Sequence, residues 1–493
     1  MAMKRFLVAL VAFMLLITML TACDGDGEES ENVIATVSSD VSVNSDLWES
    51  GITGLDFEGR EFIILSSYTH GIDPSSNTFF GGNGEYEENV VNDAALLRNS
   101  VVEDKLGIKI VERIHEDTNA GGTGSLQTYV DNSVNTAIVD YHMIQGSLYN
   151  CGNFVKNGLV EDMTTMKYLD FSKPWWSQTF IDDTGYGSSV YYAVGDISYG
   201  HINCIYFVIF NKDLQAEYEL DDFYELVRQE QWTYDVMFEN SKKVLDDLTA
   251  NGTYEFGDLV GSCGQTSVMH AVYYASNGRI TSKDGEGKPT LTFDTADSII
   301  KVEKLANFFM EPSNYLVLSD AESIESISQS HTLFFCYHTG GIKGIGEVQS
   351  DIGFLPHPKF DEDQDDYYAL ISPWGGQAVC VPFAYGDEDL DYISAVMEEM
   401  AVQGKNYLTS AFVETMCMYQ KSRDEESIEM LRIIFDRAGC DLGLIYRFGG
   451  YTSDLQLFVA NQNKAIASTI DSHRESAIKQ IQEYIDTIEA LGR

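Results

Sequence analysis

The stretch NDAALLRNSVVEDKLGIKIVERI (Asn92–Ile114) contains a predicted helix followed directly by a predicted strand. The helical part is Asn92–Gly107, in which Asn92 can cap the first turn and Gly107 can end the last one. The run IKIVERI after Gly107 predicts a strand. One helix and one strand therefore follow each other within the stretch Asn92–Ile114.

Strand and helix continue to alternate on both sides of this stretch. REFIILSS (Arg60–Ser67) predicts a buried strand before it, and SLQTYVDNSVN (Ser125–Asn135) and AIVDYHMIQG (Ala137–Gly146) predict a helix and a third strand after it. This βαβαβ order indicates a mostly parallel sheet with helices on its faces. Ligands of such sheets lie beyond the carboxyl ends of the strands, so the segments after the first and third strands are candidate binding loops.

A second α/β unit is predicted downstream. INCIYFVIFNKDL (Ile202–Leu214) predicts a strand, and residues 222–248 predict mostly helix, with Thr233 as an N-cap that restarts the helix after Trp232. Two more strands are predicted at Thr332–Gly341 and Asp351–Lys359, and an amphipathic helix at Ser476–Gly492.

Length and charge limit the architecture and the partners. The body from about Leu55 to Arg493 is too long for one ordinary core, so two lobes are expected. The formal net charge is −46. Such a chain repels nucleic acid and anionic lipid surfaces, which excludes both as partners.

The N-terminus predicts export and anchoring. Lys4 and Arg5 precede an apolar run, Phe6–Leu20, which is short for a spanning helix and typical of a secretory signal. The run ends in Leu-Thr-Ala-Cys, which resembles the bacterial lipobox, so residues 1–22 are predicted to be removed and Cys23 to carry lipid. Residues 23–54 are predicted to be an acidic flexible tether. The alternatives are an uncleaved membrane anchor or a soluble secreted protein with an incidental cysteine.

The cysteines do not indicate a disulfide framework or a metal site. No pair has CxxC spacing, and several lie in apolar runs, where cysteine usually packs as a small hydrophobe. We expect no cofactor. Besides Cys23, the cysteines are Cys151, Cys204, Cys263, Cys336, Cys380, Cys417 and Cys440.

Several segments, in order along the chain, resemble the extracellular solute-binding proteins of bacterial ABC importers, in particular the carbohydrate-type members. The matching segments are VNDAALLRNSVVEDKLGIKI, LVEDMTTMKYLDFSKPWW, VIFNKDL, Phe223–Asp235, GFLPHPKFDEDQDDYY and RDEESIEMLRIIFDRAGCDLG. Each is weak by itself, and their order behind a lipobox carries the resemblance.

The resemblance implies an α/β fold: a two-lobe, periplasmic-binding-protein-like clamp of type II, with discontinuous lobes joined by a hinge. Lobe 1 would comprise residues 55–200 plus about 375–412, and lobe 2 about 201–374 plus 413–493. Crossings are expected near Gly195–Asn211, Ser372–Val381 and Thr409–Gln420. Such a protein binds solute in the cleft, does not catalyse a reaction, acts as a monomer, and docks on a membrane permease.

A sugar ligand would need flat aromatic platforms and short polar groups, and the chain has 28 Tyr, 26 Phe and 5 Trp. KPWWSQ and SPWGGQ are candidate platform loops, although the first two indoles could instead pack inside a lobe, and Trp232 is expected to be structural. The polar candidates follow strand ends or lie at crossings. The candidate ligand-binding residues are Tyr68, Asp73, Gln145, Ser147, Trp175, Trp176, Tyr199, Tyr337, His338, Trp374, Tyr446 and Arg447.

Other functions have weaker support. The ligand could be a peptide or another polar solute, and the protein could be a lipid-anchored glycan-degrading enzyme or a structural lipoprotein. The chain has no G-x-S-x-G elbow and no phosphate loop. The acidic run Asp361–Asp366 lacks the glycine and glutamate of a calcium loop.

Overall fold

The computed structural model describes residues 47–68, 80, 90–117, 121–345, 350–417 and 424–491. Cys23 and Asp73 lie outside these residues, as do the signal and most of the tether, and for Tyr68 only the backbone is described. Residues Trp48–Arg493 group into one unit, which is built around two separate sheets.

The first sheet contains the βαβαβ unit. Its strands are β1 (Arg60–Tyr68), β2 (Ile108–Glu116), β3 (Met143–Ser147) and β12 (Gln377–Cys380), in the order β12-β3-β1-β2. β1 pairs in parallel with both β2 and β3, as the sequence predicts, whereas β12 joins β3 antiparallel. The helices α1 (Val90–Leu106) and α2 (Ser125–Asn135) connect the three parallel strands, and α3 (Leu148–Lys156) follows β3.

The second sheet has five strands in the order β10-β4-β9-β5-β8. β4 lies antiparallel to β9 and β10, whereas β5 is parallel to β9 and β8. All but the ends of these strands are buried, which explains their nearly continuous apolar sequences. The strands are β4 (Tyr206–Asn211), β5 (Val260–Gly264), β8 (Leu316–Val317), β9 (Thr332–His338) and β10 (Ile352–Leu355).

The remaining elements cover these sheets or connect them. The short strands β6 (Thr281–Lys283) and β7 (Pro289–Leu291) pair with each other, as do β11 (Ala369–Leu370) and β13 (Ala438–Gly439). The other helices are α4 (Gln178–Thr184), α5 (Lys212–Glu217), α6 (Phe223–Arg228), α7 (Tyr234–Ser241), α8 (Val268–Ala275), α9 (Ala296–Phe309), α10 (Asp320–Ser328), α11 (Asp387–Cys417), α12 (Glu425–Asp436), α13 (Leu442–Tyr446), α14 (Tyr451–Ala460) and α15 (Ile466–Leu491). Short 3-10 segments lie at Met163–Thr165, Ile202–Cys204, Thr339–Ile345 and Phe448–Gly450.

The chain passes between the two sheets more than once. It leaves the first sheet after β3, builds the second from β4 to β10, and returns to the first with β12. The long helix α11 then packs on α1, and α12 packs against β10 of the second sheet. Each sheet is thus assembled from separate parts of the sequence, while the lobe boundaries themselves remain predictions.

Local sequence signals predict most helices and strands correctly, but several of the predicted helix and strand ends are wrong. Gly107 ends α1 with φ +63°, and the Thr233 hydroxyl caps α7 by accepting from the Val236 N–H, both as predicted. The cap expected at Asn92 is wrong, because α1 begins at Val90 and Asn92 is buried inside it.

The predicted strands are also too long. The strand expected from Ala137 starts only at Met143, because Ala137 takes a left-handed turn with φ +55°. The strand expected over Ile202–Leu214 is a 3-10 turn, then β4, then a helix capped by Asn211. The C-terminal helix starts ten residues before the expected Ser476.

The folded body begins before the predicted end of the tether at residue 54. The Trp48 N–H donates to Asn406 at 2.9 Å, the Ser50 hydroxyl donates to the Glu399 carboxylate at 2.5 Å, and the Ile52 side chain is buried. These contacts attach the entering segment to α11.

Two further properties follow from the described residues. The seven cysteines from Cys151 to Cys440 are all buried. Across the described ranges, no helix has the length and apolar character needed to cross a bilayer.

Candidate functional site

Three strands of the second sheet present their ends at one edge. Because β4 runs opposite to β5 and β9, its first residue, Tyr206, lies at the same edge as the last residues of the other two strands. Gln265 follows β5, and Tyr337 and His338 end β9. A cleft of about 400 Å³ opens at this edge, and these four residues line it.

The opposite wall of the cleft comes from segments next to the first sheet. Tyr149 stands in the first turn of α3, and its N–H donates to the Pro373 carbonyl at 3.3 Å. This bond holds the turn Ser372–Gly376 against the start of α3. Tyr149 and Trp374 therefore line the same cleft as the strand ends of the second sheet.

Trp374 is the most exposed aromatic residue of the cleft, at 44%. The two glycines after it keep the turn tight. A β-carbon on Gly375 would lie 2.4 Å from the Cys204 sulfur, and one on Gly376 would lie 2.4 Å from a methyl carbon of Ile371. The backbone packs closely beneath the indole, so the ring stands out from the turn toward the cleft.

Arg447 adds a cation to the cleft. It has a left-handed backbone, with φ 55° and ψ 38°, at the end of α13. Its guanidinium carbon lies 3.7 Å from the centre of the Tyr149 ring. Few residues with a β-carbon adopt this backbone, and here it turns the side chain back over α3.

The polar groups at the strand ends are held neutral. Burial lowers the pKa of His338, although the nearby Asp320 acts in the opposite direction, and burial raises the pKa values of Tyr206 and Tyr337. The Nδ1 atom of His338 is buried and has no hydrogen-bond partner among the described residues. These groups can donate and accept hydrogen bonds at neutral pH without carrying charge.

Trp175 and Trp176 lie elsewhere, in the packed interior. Their exposed fractions are 3% and 2%. Both indole N–H groups donate to the Glu398 carboxylate of α11, each at 3.0 Å. Burial raises the pKa of Glu398 to about 7. Both residues also border a second cavity of about 350 Å³.

The other predicted site residues lie outside the cleft lining. Gln145 and Ser147 are buried in β3, and Ser147 caps α3 by accepting from the Asn150 N–H. The Tyr199 ring is buried against Phe412. Tyr446 packs on Tyr484. The predicted set thus divides, and Tyr337, His338, Trp374 and Arg447 meet in one cleft.

Sequence reasoning missed several cleft residues. Tyr149 lies three residues after the third predicted strand, in the segment QGSLYN, so the strand-end rule could have found it. Tyr206 begins a strand that runs antiparallel to its neighbour β9, which the local sequence does not reveal. Most of the other missed residues lie on or before helices or in the turn before β12, where no local signal marks them, and Cys336 lies inside β9. The missed lining residues are Tyr149, Cys204, Tyr206, Gln265, Ser267, Val268, His270, Asp320, Cys336, Ser372, Pro373 and Gln456.

No protein-family model matches the sequence, and no curated protein matches it. The structure does match solved structures over most of its length. A cyclo/maltodextrin-binding protein complexed with maltotetraose aligns with TM-score 0.53 and 11% identity, covering 88% of this chain and 97% of that one. The chain has the fold of ABC-importer substrate-binding proteins.

Two further matches agree. The maltose-binding periplasmic protein MalE of Listeria monocytogenes, in complex with maltose, aligns with TM-score 0.52 and 11% identity, covering 86% of this chain and 98% of that chain. The maltose/maltodextrin-binding domain MalE of Bdellovibrio bacteriovorus, bound to maltotriose, aligns with TM-score 0.50 and 10% identity, covering 86% and 100%. The predicted fold class, an α/β two-lobe clamp, is confirmed.

Proposed function

We propose that this protein is an extracellular solute-binding protein that captures a sugar or oligosaccharide in its cleft and passes it to an ABC transporter permease. The observation that carries the proposal is the exposed Trp374 indole facing neutral polar groups of Tyr206, Tyr337 and His338 in one cleft. The fold it shares with maltodextrin-binding proteins supports the same function.

The chemistry of the cleft suits a sugar. The C–H face of a pyranose ring packs on a flat aromatic ring, and its hydroxyl rim needs both donors and acceptors. Trp374 supplies such a ring, while His338 and Gln265 supply amphoteric polar groups. We assign ligand contact to Tyr337, His338, Trp374 and Arg447 from the predicted set, and we add Tyr149.

The arrangement of the two sheets would allow the cleft to close over a bound ligand. The turn Ser372–Gly376 connects β11, which pairs with β13, to β12 of the first sheet, and it also carries Trp374. A rotation of one sheet layer against the other would move this turn and narrow the cleft over a ligand. We propose that the closed monomer is the form that docks on the permease, and that no catalytic step is involved.

The proposed location is the outer face of a bacterial cell membrane. Lipid on Cys23 would attach the acidic tether to the bilayer, since two acyl chains suffice for stable anchoring. Replacing Cys23 with serine should leave the protein without lipid and uncut by the signal peptidase. Metabolic labelling with a fatty acid tests this, and label on the Cys23→Ser form contradicts the anchor.

Thermal-shift measurements with monosaccharides, oligosaccharides, peptides and polyamines test the binding function. A ligand that binds only the folded state raises the melting temperature as its concentration exceeds Kd. We expect an oligosaccharide to give the largest rise, and no shortening of that oligosaccharide on prolonged incubation. A largest rise from a peptide, or the appearance of shorter sugars, contradicts the proposal.

A further inference from the structure

Arg447 is a cation of the cleft for which the described residues supply no acidic partner. Elsewhere in the fold arginines hold carboxylates, as Arg60 does with Asp389 and Arg279 with Asp183. Such pairing is expected in a chain with 77 acidic and 31 basic residues. Within the described residues, the ring contact and the hydrogen bond found for the Arg447 guanidinium are both with Tyr149.

This guanidinium is fixed in position before any ligand binds. The Tyr149 ring covers one side of it at 3.7 Å, which removes water and holds the charge in place. The left-handed backbone at Arg447, followed by Gly449 and Gly450 with φ +64° and +85°, sets the direction of the side chain. A strained, preorganised cation in a binding cleft is suited to meet an anion of the ligand.

The rest of the cleft limits that anion. Asp320 also lines the cleft and acts on His338 and Tyr337, whereas Arg447 acts on Tyr149. The Asp320 carboxylate therefore lies near the strand-end residues His338 and Tyr337, and the Arg447 guanidinium lies near Tyr149. Asp320 and the net charge of −46 repel a dianion such as a phosphate ester about twice as strongly as a monoanion, because the Coulomb energy scales with the charge of the ligand. A single carboxylate matches one guanidinium, which can bind it through two parallel N–H donors.

We propose that the ligand is an acidic sugar, and that Arg447 selects it by pairing with the carboxylate of a uronic acid residue. This inference rests on the proposed sugar-binding function and makes it more specific. Trp374 holds the apolar face of a ring, the strand-end groups bind hydroxyls, and Arg447 distinguishes a carboxylate from the neutral hydroxymethyl group of a hexose.

The test compares an oligosaccharide panel containing uronic acids with their methyl esters and with neutral maltooligosaccharides. Thermal shift ranks the panel, and calorimetry then measures Kd for the tightest ligand and for its ester. We expect the tightest ligand to carry a carboxylate, its ester to bind at least tenfold more weakly, and the affinity of the acid, not of the ester, to fall with added salt.

Variants locate the effect. Arg447→Gln should weaken binding of the acid about thirty-fold and change binding of the ester less than threefold, while Arg447→Lys should fall between because the ammonium cannot bind two oxygens side by side. Arg432→Gln makes the same charge change at an exposed position on α12 and should leave both affinities unchanged.

Different outcomes contradict the proposed sugar-binding function and the uronic acid inference. If a neutral oligosaccharide is the tightest ligand, or if Arg447→Gln binds the acid and its ester as the parent does, the uronic acid inference is wrong while sugar binding stands. If no saccharide raises the melting temperature, the proposed function fails and the inference with it.

Discussion

Two tryptophan-containing turns differ in the exposure of their indole rings. In KPWWSQ, Trp175 and Trp176 are buried, and both donate to the Glu398 carboxylate. In SPWGGQ, Trp374 is 44% exposed at the edge of the cleft. Both turns place an indole directly after a proline, so the local sequences look alike.

The difference lies in what surrounds each turn. A buried indole needs an acceptor for its N–H, and α11 supplies one carboxylate that serves two rings. At Trp374 the neighbouring glycines let the backbone, not the ring, pack into the protein. An indole is therefore available to a ligand where the backbone of its turn is buried and the ring itself stays exposed.

The largest expected effect is on stability, from Trp176→Ala. Removing this buried indole leaves a cavity and one acceptor position of Glu398 empty, which should lower the free energy of unfolding by about 4 kcal/mol. Chemical denaturation measures the loss. Trp374→Ala is the matched control and should change stability by less than about 1 kcal/mol. Equal losses in the two variants would remove the distinction between the turns.

The next effect is a pH dependence centred on Glu398. Its pKa is raised by burial from 4.5 to about 7, so between these values the folded protein holds a proton that the unfolded chain has released. Stability should therefore rise as the pH falls from 8 to 5, by up to about 3 kcal/mol from this group.

Glu398→Gln tests the assignment, because its amide does not titrate. The difference in unfolding free energy between parent and variant should change with pH mainly between 5 and 8, together with the fluorescence of the two indoles. A difference that stays constant over this range contradicts a buried carboxyl with a raised pKa.

Ligand affinity should depend on the turn that contains Trp374. Trp374→Ala removes the proposed platform and should weaken binding of the sugar found by thermal shift by about 2 kcal/mol, or roughly thirty-fold. Isothermal titration calorimetry on the folded variant measures this. Undiminished affinity would place the platform on another ring of the cleft, with Tyr149 the first candidate.

The smallest effect is expected from Trp374→Phe. Phenylalanine keeps a flat apolar face but has less area and no N–H, so affinity should fall only two- to fivefold, about 0.4–1 kcal/mol. The same calorimetric titration compares it with Trp374→Ala. A loss as large as that of the alanine variant would show that the indole N–H, rather than the ring face, contacts the ligand.

The order and type of most elements could be predicted from the sequence because they depend on local signals. Gly107 ends a helix and Thr233 begins one through contacts within a single turn. Strand limits were less predictable, as at Ala137, because apolar residues also fill the turns that lead into a buried strand. The lipobox and the ligand contacts of Tyr68 and Asp73 remain predictions.

Part of the candidate cleft was also predictable. Tyr337 and His338 follow from the rule that ligands lie at strand ends, and Trp374 from its neighbouring glycines. Gln145 and Ser147 satisfy the same rule but are buried beneath α3, because the helix starts at once after β3. Tyr206 reaches the cleft only through strand pairing with His338, more than a hundred residues away, and Asp320 lies on a helix that only the fold brings to the cleft.

The sequence by itself determined the α/β class, the helix boundaries at Gly107 and Thr233, and the supply of aromatic rings. The first two follow from contacts between residues that are close in the chain, and the third is composition. The tertiary structure decided which rings face the cleft and which are buried. Burial of an indole depends on whether a distant segment brings an acceptor to its N–H, as α11 brings Glu398 to Trp175 and Trp176. Exposure of Trp374 likewise depends on Cys204 and Ile371 occupying the space beneath its turn.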